Sequence, residues 1–286
     1  MTDIRPMNFG EILDAALVIY RRHFGLFLKL AVIVLAVPVL LLVYISARFV
    51  GSFMTQTPNI AGLLYLVPVG ILYYLASLVL TAGTIRIIAD SYLGRAPRLQ
   101  DALALGVEKL WSLVVVGLGK GVIVFLVAMA AGVVIAVLGV AAKGAGAAAV
   151  LLLVAAGAAG AWLVGFVLCG YGVTTPVVVL EELGSSFDAF GRSWDLTRSF
   201  KLKVLGLAVV AVLLFNALPS WVLQALSVVA RAALPPLSIA LAALATVVPV
   251  LLTPAVAAVI TLMYYDLRVR REGFDLQMLS RQMGIV

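Results

Sequence analysis

Long apolar runs alternate with short polar breaks along this chain, and six of them exceed the roughly 20 residues that a helix needs to cross a bilayer. They fall at 24–47, 61–87, 111–141, 147–171, 203–229 and 237–264. The runs are continuous rather than alternating, and far longer than the strands of a membrane barrel, so strands are excluded. The expected fold is an all-α integral membrane protein, with six transmembrane helices in a single domain over 1–286. Pro38, Pro68, Pro219, Pro249 and Pro254 lie inside these runs, and Pro176 lies just past the fourth. Each frees a carbonyl that must be satisfied in lipid. Thr175-Pro176 and Thr253-Pro254 suit that task, since a threonine hydroxyl sits beside the ring.

Three of the polar stretches share a pattern. Asp14-Ala15, Asp101-Ala102 and Asp188-Ala189 are spaced 87 residues apart, twice. Each Asp-Ala opens an amphipathic stretch that ends at an aromatic residue (Phe24, Trp111 or Phe200), and two apolar runs follow. In the third stretch Phe187, Phe190, Trp194 and Thr197 share one helical face, with Asp188, Arg192, Asp195 and Ser199 on the other. Asp188 and Arg192 have the spacing of an i,i+4 pair. Asn8 with Glu11, and Ser185 with Asp188, make N-terminal caps. These stretches are too polar to span and should lie along the membrane surface. The chain thus reads as three units of one interfacial amphipathic helix plus a two-helix hairpin. Repeat 1 covers about 1–92, repeat 2 about 93–183 and repeat 3 about 184–276, with a short tail at 277–286. The second span of each unit ends in an acid: Asp90, Glu181 and Asp266. Mitochondrial carriers share the count of three two-span units, but their Pro-x-[Asp/Glu]-x-x-[Lys/Arg] signature matches at none of these prolines.

Composition reinforces the membrane reading. Hydrophobic residues make up 64% and charged residues 12% of the 286 residues, against about 25% charged in a soluble domain. The net charge is +7, and its placement is informative. Arg5, Arg21, Arg22, Lys29, Arg86, Arg95, Arg98, Lys109, Arg192, Arg198, Lys201, Lys203, Arg268, Arg270, Arg271 and Arg281 flank the runs on one side, together with all 13 acids. Only Arg48, Lys143 and Arg231 fall on the other side. Lys and Arg mark the cytoplasmic side, so both termini are expected there. The basic residues are mixed with acids and lack interleaved aromatics, which argues against nucleic acid. The lipid bilayer is the expected partner. A membrane or cytoplasmic protein, or a second copy of the chain, is a further one. No secretory signal is expected, because Asp3, Glu11 and Asp14 precede the first apolar run.

Three blocks carry a family resemblance. They are Arg5-Pro6-Met7-Asn8-Phe9-Gly10-Glu11-Ile12-Leu13-Asp14-Ala15 with Tyr20-Arg21-Arg22-His23-Phe24, then Thr175-Pro176-Val177-Val178-Val179-Leu180-Glu181 with Phe190-Gly191-Arg192-Ser193-Trp194-Asp195-Leu196-Thr197, and last Tyr264 through Leu276. Together they resemble the bacterial membrane domain named after glycerophosphoryl diester phosphodiesterase. In some relatives that domain precedes a soluble catalytic barrel, which these residues do not include. The resemblance implies a multipass protein of the bacterial cytoplasmic (inner) membrane, or an accessory to a lipid-active enzyme, rather than the named activity.

Candidate chemistry is sparse. The lone histidine, His23, excludes two-histidine zinc motifs, and neither a Walker A pattern nor a Gly-x-Ser-x-Gly elbow occurs. The lone cysteine, Cys169, lies in an apolar run and excludes an intrachain disulfide. No cofactor and no catalytic residue is expected. Lys120 is the ionisable residue that stands out. It lies about 13 Å along a helix from Trp111, where a charge is costly and marks a functional site, although a lysine stem can also snorkel to the headgroups. Asn216 and Gln224 suit either a transport site or interhelical hydrogen bonding. Gly117 with Gly121, and Gly157, Gly160 and Gly165, give two spans small faces for packing within the chain or between copies. Three functions fit: a non-enzymatic membrane-organising or partner-docking module, a transporter or channel component with a site between the hairpins, and the lipid-enzyme accessory.

Overall fold

The computed structural model describes residues 5–54, 60–141 and 146–274. Lys143, Arg281 and the tail 277–286 lie outside the described residues. The described chain is helical: α1 Phe9–Arg22, α2 Phe24–Met54, α3 Ile60–Tyr92, α4 Leu99–Glu108, α5 Leu110–Ala141, α6 Gly146–Gly170, α7 Thr174–Leu180, α8 Asp188–Thr197, α9 Lys201–Val212, α10 Leu218–Ala233 and α11 Pro235–Glu272, with a π-helical segment, Leu213–Ala217, joining α9 to α10. Among the described residues, six stretches are long and apolar enough to cross a membrane: Phe24–Ile45, Leu64–Tyr92, Leu110–Ala141, Gly146–Leu180, Lys201–Arg231 and Pro236–Glu272. Helices are the outcome that lipid demands, because each satisfies its own backbone polar groups.

Three local features depart from the pattern read in the sequence. The fourth span does not stop at residue 171. It breaks at Gly170 and resumes as α7, with Pro176 in the first turn, where a missing N–H costs no helical bond. Thr174, not Thr175, supplies the hydroxyl, donating to the Tyr171 carbonyl at 2.9 Å. Likewise Thr253 donates to the Pro249 carbonyl at 3.0 Å, rather than to the Val250 carbonyl that Pro254 frees. The fifth span widens into the π segment just before Pro219, whose ring would collide with the Phe215 carbonyl in a regular helix.

The core lies at one end of the bundle. Leu80, Ala82, Ile85, Ile87, Ile88 and Tyr92 of α3 are buried, whereas Leu64, Tyr65, Val67 and Ile71 are exposed. The same gradient runs along α11, which is buried almost continuously from Pro254 to Leu267. At that end α1 lays Ile12, Ala16, Ile19 and Tyr20 inward, and α4 packs Gly106 against the Val79 carbonyl so closely that an added Cβ would sit 2.8 Å from it. Away from that end the α5–α6 hairpin is almost bare, with only Leu113 and Val116 of α5 and Cys169 and Gly170 of α6 buried. Apolar surface facing lipid carries no penalty, so nothing drives those halves together. With 38 residues, α11 is about 57 Å long at 1.5 Å per residue. That exceeds the ~30 Å hydrocarbon core, so its polar last turns extend beyond the apolar zone.

Candidate functional site

Those last turns of α11 organise the charged end. Successive residues of a helix rotate by about 100°, so Asp266 faces away from Tyr264 and Arg268. The carboxylate of Asp266 is 0% exposed. It accepts the Met7 backbone N–H at 2.8 Å, the Lys203 ammonium at 2.5 Å and the Arg270 Nε at 3.0 Å. Lys203 and Arg270 also donate to the Met7 carbonyl, at 2.8 and 3.0 Å. One buried acid therefore joins the segment before α1, the first turn of α9 and the end of α11.

On the other side of α11, Glu181 at the end of α7 accepts the Arg192 Nε at 2.9 Å and the Tyr264 hydroxyl at 2.8 Å. Arg192 also pairs with Glu272, and Glu272 accepts the Arg268 Nε at 3.1 Å. Burial alone would weaken the Arg192 charge, but its hydrogen bonds to the two carboxylates outweigh that and hold its pKa above the ordinary value. The i,i+4 pairing of Asp188 with Arg192 expected from sequence does not form. Asp188 accepts the Ser185 N–H at 2.9 Å instead, in the turn before α8, and α8 has no side-chain cap bond at its N-cap Phe187. At the third equivalent acid, Asp90 accepts the Arg86 Nε at 2.9 Å. Next to it the His23 Nε2 meets the Ser91 hydroxyl at 3.0 Å. The His23 pKa is pushed below the ordinary value, first by burial and then by the neighbouring Arg22 charge.

Helix α8 is docked by a different device. Gly170 ends α6, and its bare Cα admits the Trp194 ring, since a Cβ there would lie 2.2 Å from Trp194 Cε3. The Gly170 carbonyl, an orphan at a helix end, accepts the Ser193 hydroxyl at 2.9 Å and the Thr197 hydroxyl at 3.2 Å. Tyr171, Phe190 and Trp194 form an aromatic cluster. The buried face of α8 is thus Ala189, Ser193, Leu196 and Thr197, with Phe190 and Trp194 at its flank and Phe187 exposed. A pocket of about 150 Å³ next to α8 is lined by Lys109, Ser112, Glu181, Ser185 and Ser186.

The residues singled out from sequence are dispersed. Lys120 is half-buried on α5, with no hydrogen-bond or ion-pair partner among the described residues. Asn216 sits in the π segment, where the Ser220 hydroxyl donates to its backbone carbonyl at 2.7 Å. Gln224 is exposed on α10. No recorded interaction joins these three among the described residues. Asp14, Asp101 and Asp188 are all exposed, and Asp14 lies mid-helix because α1 starts at Phe9, where Glu11 accepts the Asn8 N–H at 2.7 Å. Of the small faces, Gly117 receives the Tyr74 hydroxyl and Gly160 the Ala131 methyl, whereas Gly121, Gly157 and Gly165 face open space. Sequence inspection missed Lys203, Met7 and Glu272 as partners. The one usable signal was the i,i+4 spacing of Asp266 with Arg270 and of Arg268 with Glu272.

The architecture defines an all-helical multi-pass membrane protein, tied together by ion-pair networks at one end. Compared with protein-family models, curated proteins and solved structures, the chain matches none.

Proposed function

We propose that this protein is a non-enzymatic module of the bacterial inner membrane that organises the bilayer or docks a partner through short cytoplasmic helices. In this reading the chain is three repeats, each an interfacial helix (α1, α4 or α8) followed by a hairpin, with both termini cytoplasmic as the basic residues indicate. One observation carries it. Each of the three short helices buries one face on the spans and leaves an acid, Asp14, Asp101 or Asp188, exposed. Arg192, Lys203, Arg268 and Arg270 are paired within the chain, and the outward faces of the short helices stay open to a partner.

Affinity capture in mild detergent, with Asp14→Lys and Asp101→Lys as comparison, tests this. A stoichiometric partner held by the wild type and lost with both substitutions is the expected result. Equal recovery with the substituted protein would end the docking proposal. Lys120, half-buried within a span and without a partner among the described residues, favours a second reading as a transporter or channel component. If that holds, Lys120→Met abolishes solute flux in proteoliposomes while the protein still inserts and folds. Full flux in the variant eliminates Lys120 as a transport residue.

A further inference from the structure

The end of α6 leaves an apolar groove against α9 and the start of the π segment that follows it. Its volume is about 330 Å³, and Leu168, Cys169, Gly172, Val204, Ala208 and Leu213 line it. From Val204 to Leu213 it runs about 13 Å along α9, at 1.5 Å per residue. One leaflet of hydrocarbon is about 15 Å deep, half of the bilayer core. A groove of this length at the charged end matches one leaflet, and an acyl chain fits it. That alone selects nothing, because every phospholipid carries acyl chains.

Selection comes from the mouth of the groove. Lys201 opens α9, and its ammonium lies 3.3 Å from the centroid of Phe166 and 3.6 Å from that of Trp194. The two rings hold the cation in place without cancelling its charge. Cys169 lines the groove, and Arg198 closes α8 three residues before Lys201. Neither Lys201 nor Arg198 has a carboxylate partner among the described residues, whereas Lys203, Arg192, Arg268 and Arg270 around them all do. Two basic side chains without a carboxylate partner among the described residues thus sit where an acyl-sized groove meets the polar zone.

We propose that this groove binds an anionic phospholipid, with one acyl chain along Val204–Leu213 and the headgroup phosphate between Lys201 and Arg198. The site rests on the membrane-spanning reading of α6 and α9 and does not depend on the docking role of the short helices.

The full chain in phosphatidylcholine nanodiscs, doped with phosphatidylglycerol or phosphatidylethanolamine bearing a photoactivatable acyl chain, provides the test. Crosslinks are mapped by mass spectrometry. Phosphatidylglycerol should label 168–172 and 204–213 at least about tenfold more than phosphatidylethanolamine, given two cations at a membrane surface. Arg198→Gln with Lys201→Gln should bring it down to the phosphatidylethanolamine level, and Lys201→Arg should preserve the preference. Ala208→Phe fills the groove while keeping both cations, and should lower labelling by both lipids. The arginine and phenylalanine variants keep the test decisive if the double glutamine variant fails to fold. Equal labelling of the wild type by the two lipids would overturn the site. So would a preference that survives the double substitution, or labelling unchanged by Ala208→Phe.

Discussion

Asp266 is surrounded by Met7, Lys203 and Arg270 with no exposure to solvent, so its charge is affordable only while all three stay in place. Removing one member of a buried pair leaves the other uncompensated, at about 3–5 kcal/mol. Asp266→Asn should therefore lower the thermal midpoint of the detergent-solubilised protein sharply, whereas Asp14→Asn, at an exposed position, should leave it unchanged. Similar midpoints for the two variants would show that the buried network contributes little. His23 supplies a pH-dependent contact. Burial, and then Arg22, depress its pKa from the ordinary 6.5, so the folded state favours neutral imidazole. The contribution is complete above pH 6.5 and is lost as pH falls through the lower folded value. Protection against hydrogen exchange at the α1–α2 junction, measured relative to the intrinsic rate at each pH, should fall over that acid window, and His23→Gln should remove this pH dependence. Protection that stays constant with pH in the wild type would contradict this assignment.

Among the elements, α8 shows how a short helix is held without a large apolar face. Trp194 rests on Gly170, and two hydroxyls satisfy the carbonyl beneath it. Gly170→Val would force the ring aside, an overpacking cost of about 1–3 kcal/mol. Its diagnostic is earlier cleavage of the α7–α8 loop in limited proteolysis, with the α5–α6 hairpin unaffected. Unchanged cleavage would mean that the loop does not depend on this contact. The amphipathic character of α8 was legible in the spacing of Phe190, Trp194 and Thr197. Its rotation was not, because Arg192 read as a polar outward position until the Glu181 and Glu272 carboxylates drew it inward, and the Gly170 carbonyl placed Ser193 on the buried face. The π segment has a similar history. Pro219 announced a disturbance, but whether the helix would kink, break or widen depended on Leu213–Ala217 and their packing on α11.

At the scale of the whole molecule, packing is concentrated at the end where the short helices sit, and the apolar halves beyond it face outward. Single cysteines at positions 14 and 101, in a background with Cys169 replaced, should both label from the cytoplasmic side with a membrane-impermeant maleimide. Labelling from opposite sides would refute the topology read from the basic residues. The six spans were determined by the sequence alone, since uninterrupted apolar runs in lipid have one stable backbone solution and length suffices to identify it. The scarcity of midspan charge was equally plain. The partners of those charges were decided only by tertiary structure. Asp266 meets Met7 and Lys203 from distant parts of the chain, and Arg192 joins Glu181 to Glu272 across three helices. Ion pairing depends on which helix ends converge, and convergence follows from packing at Gly170 and Gly106, where the lack of a side chain lets a neighbour approach.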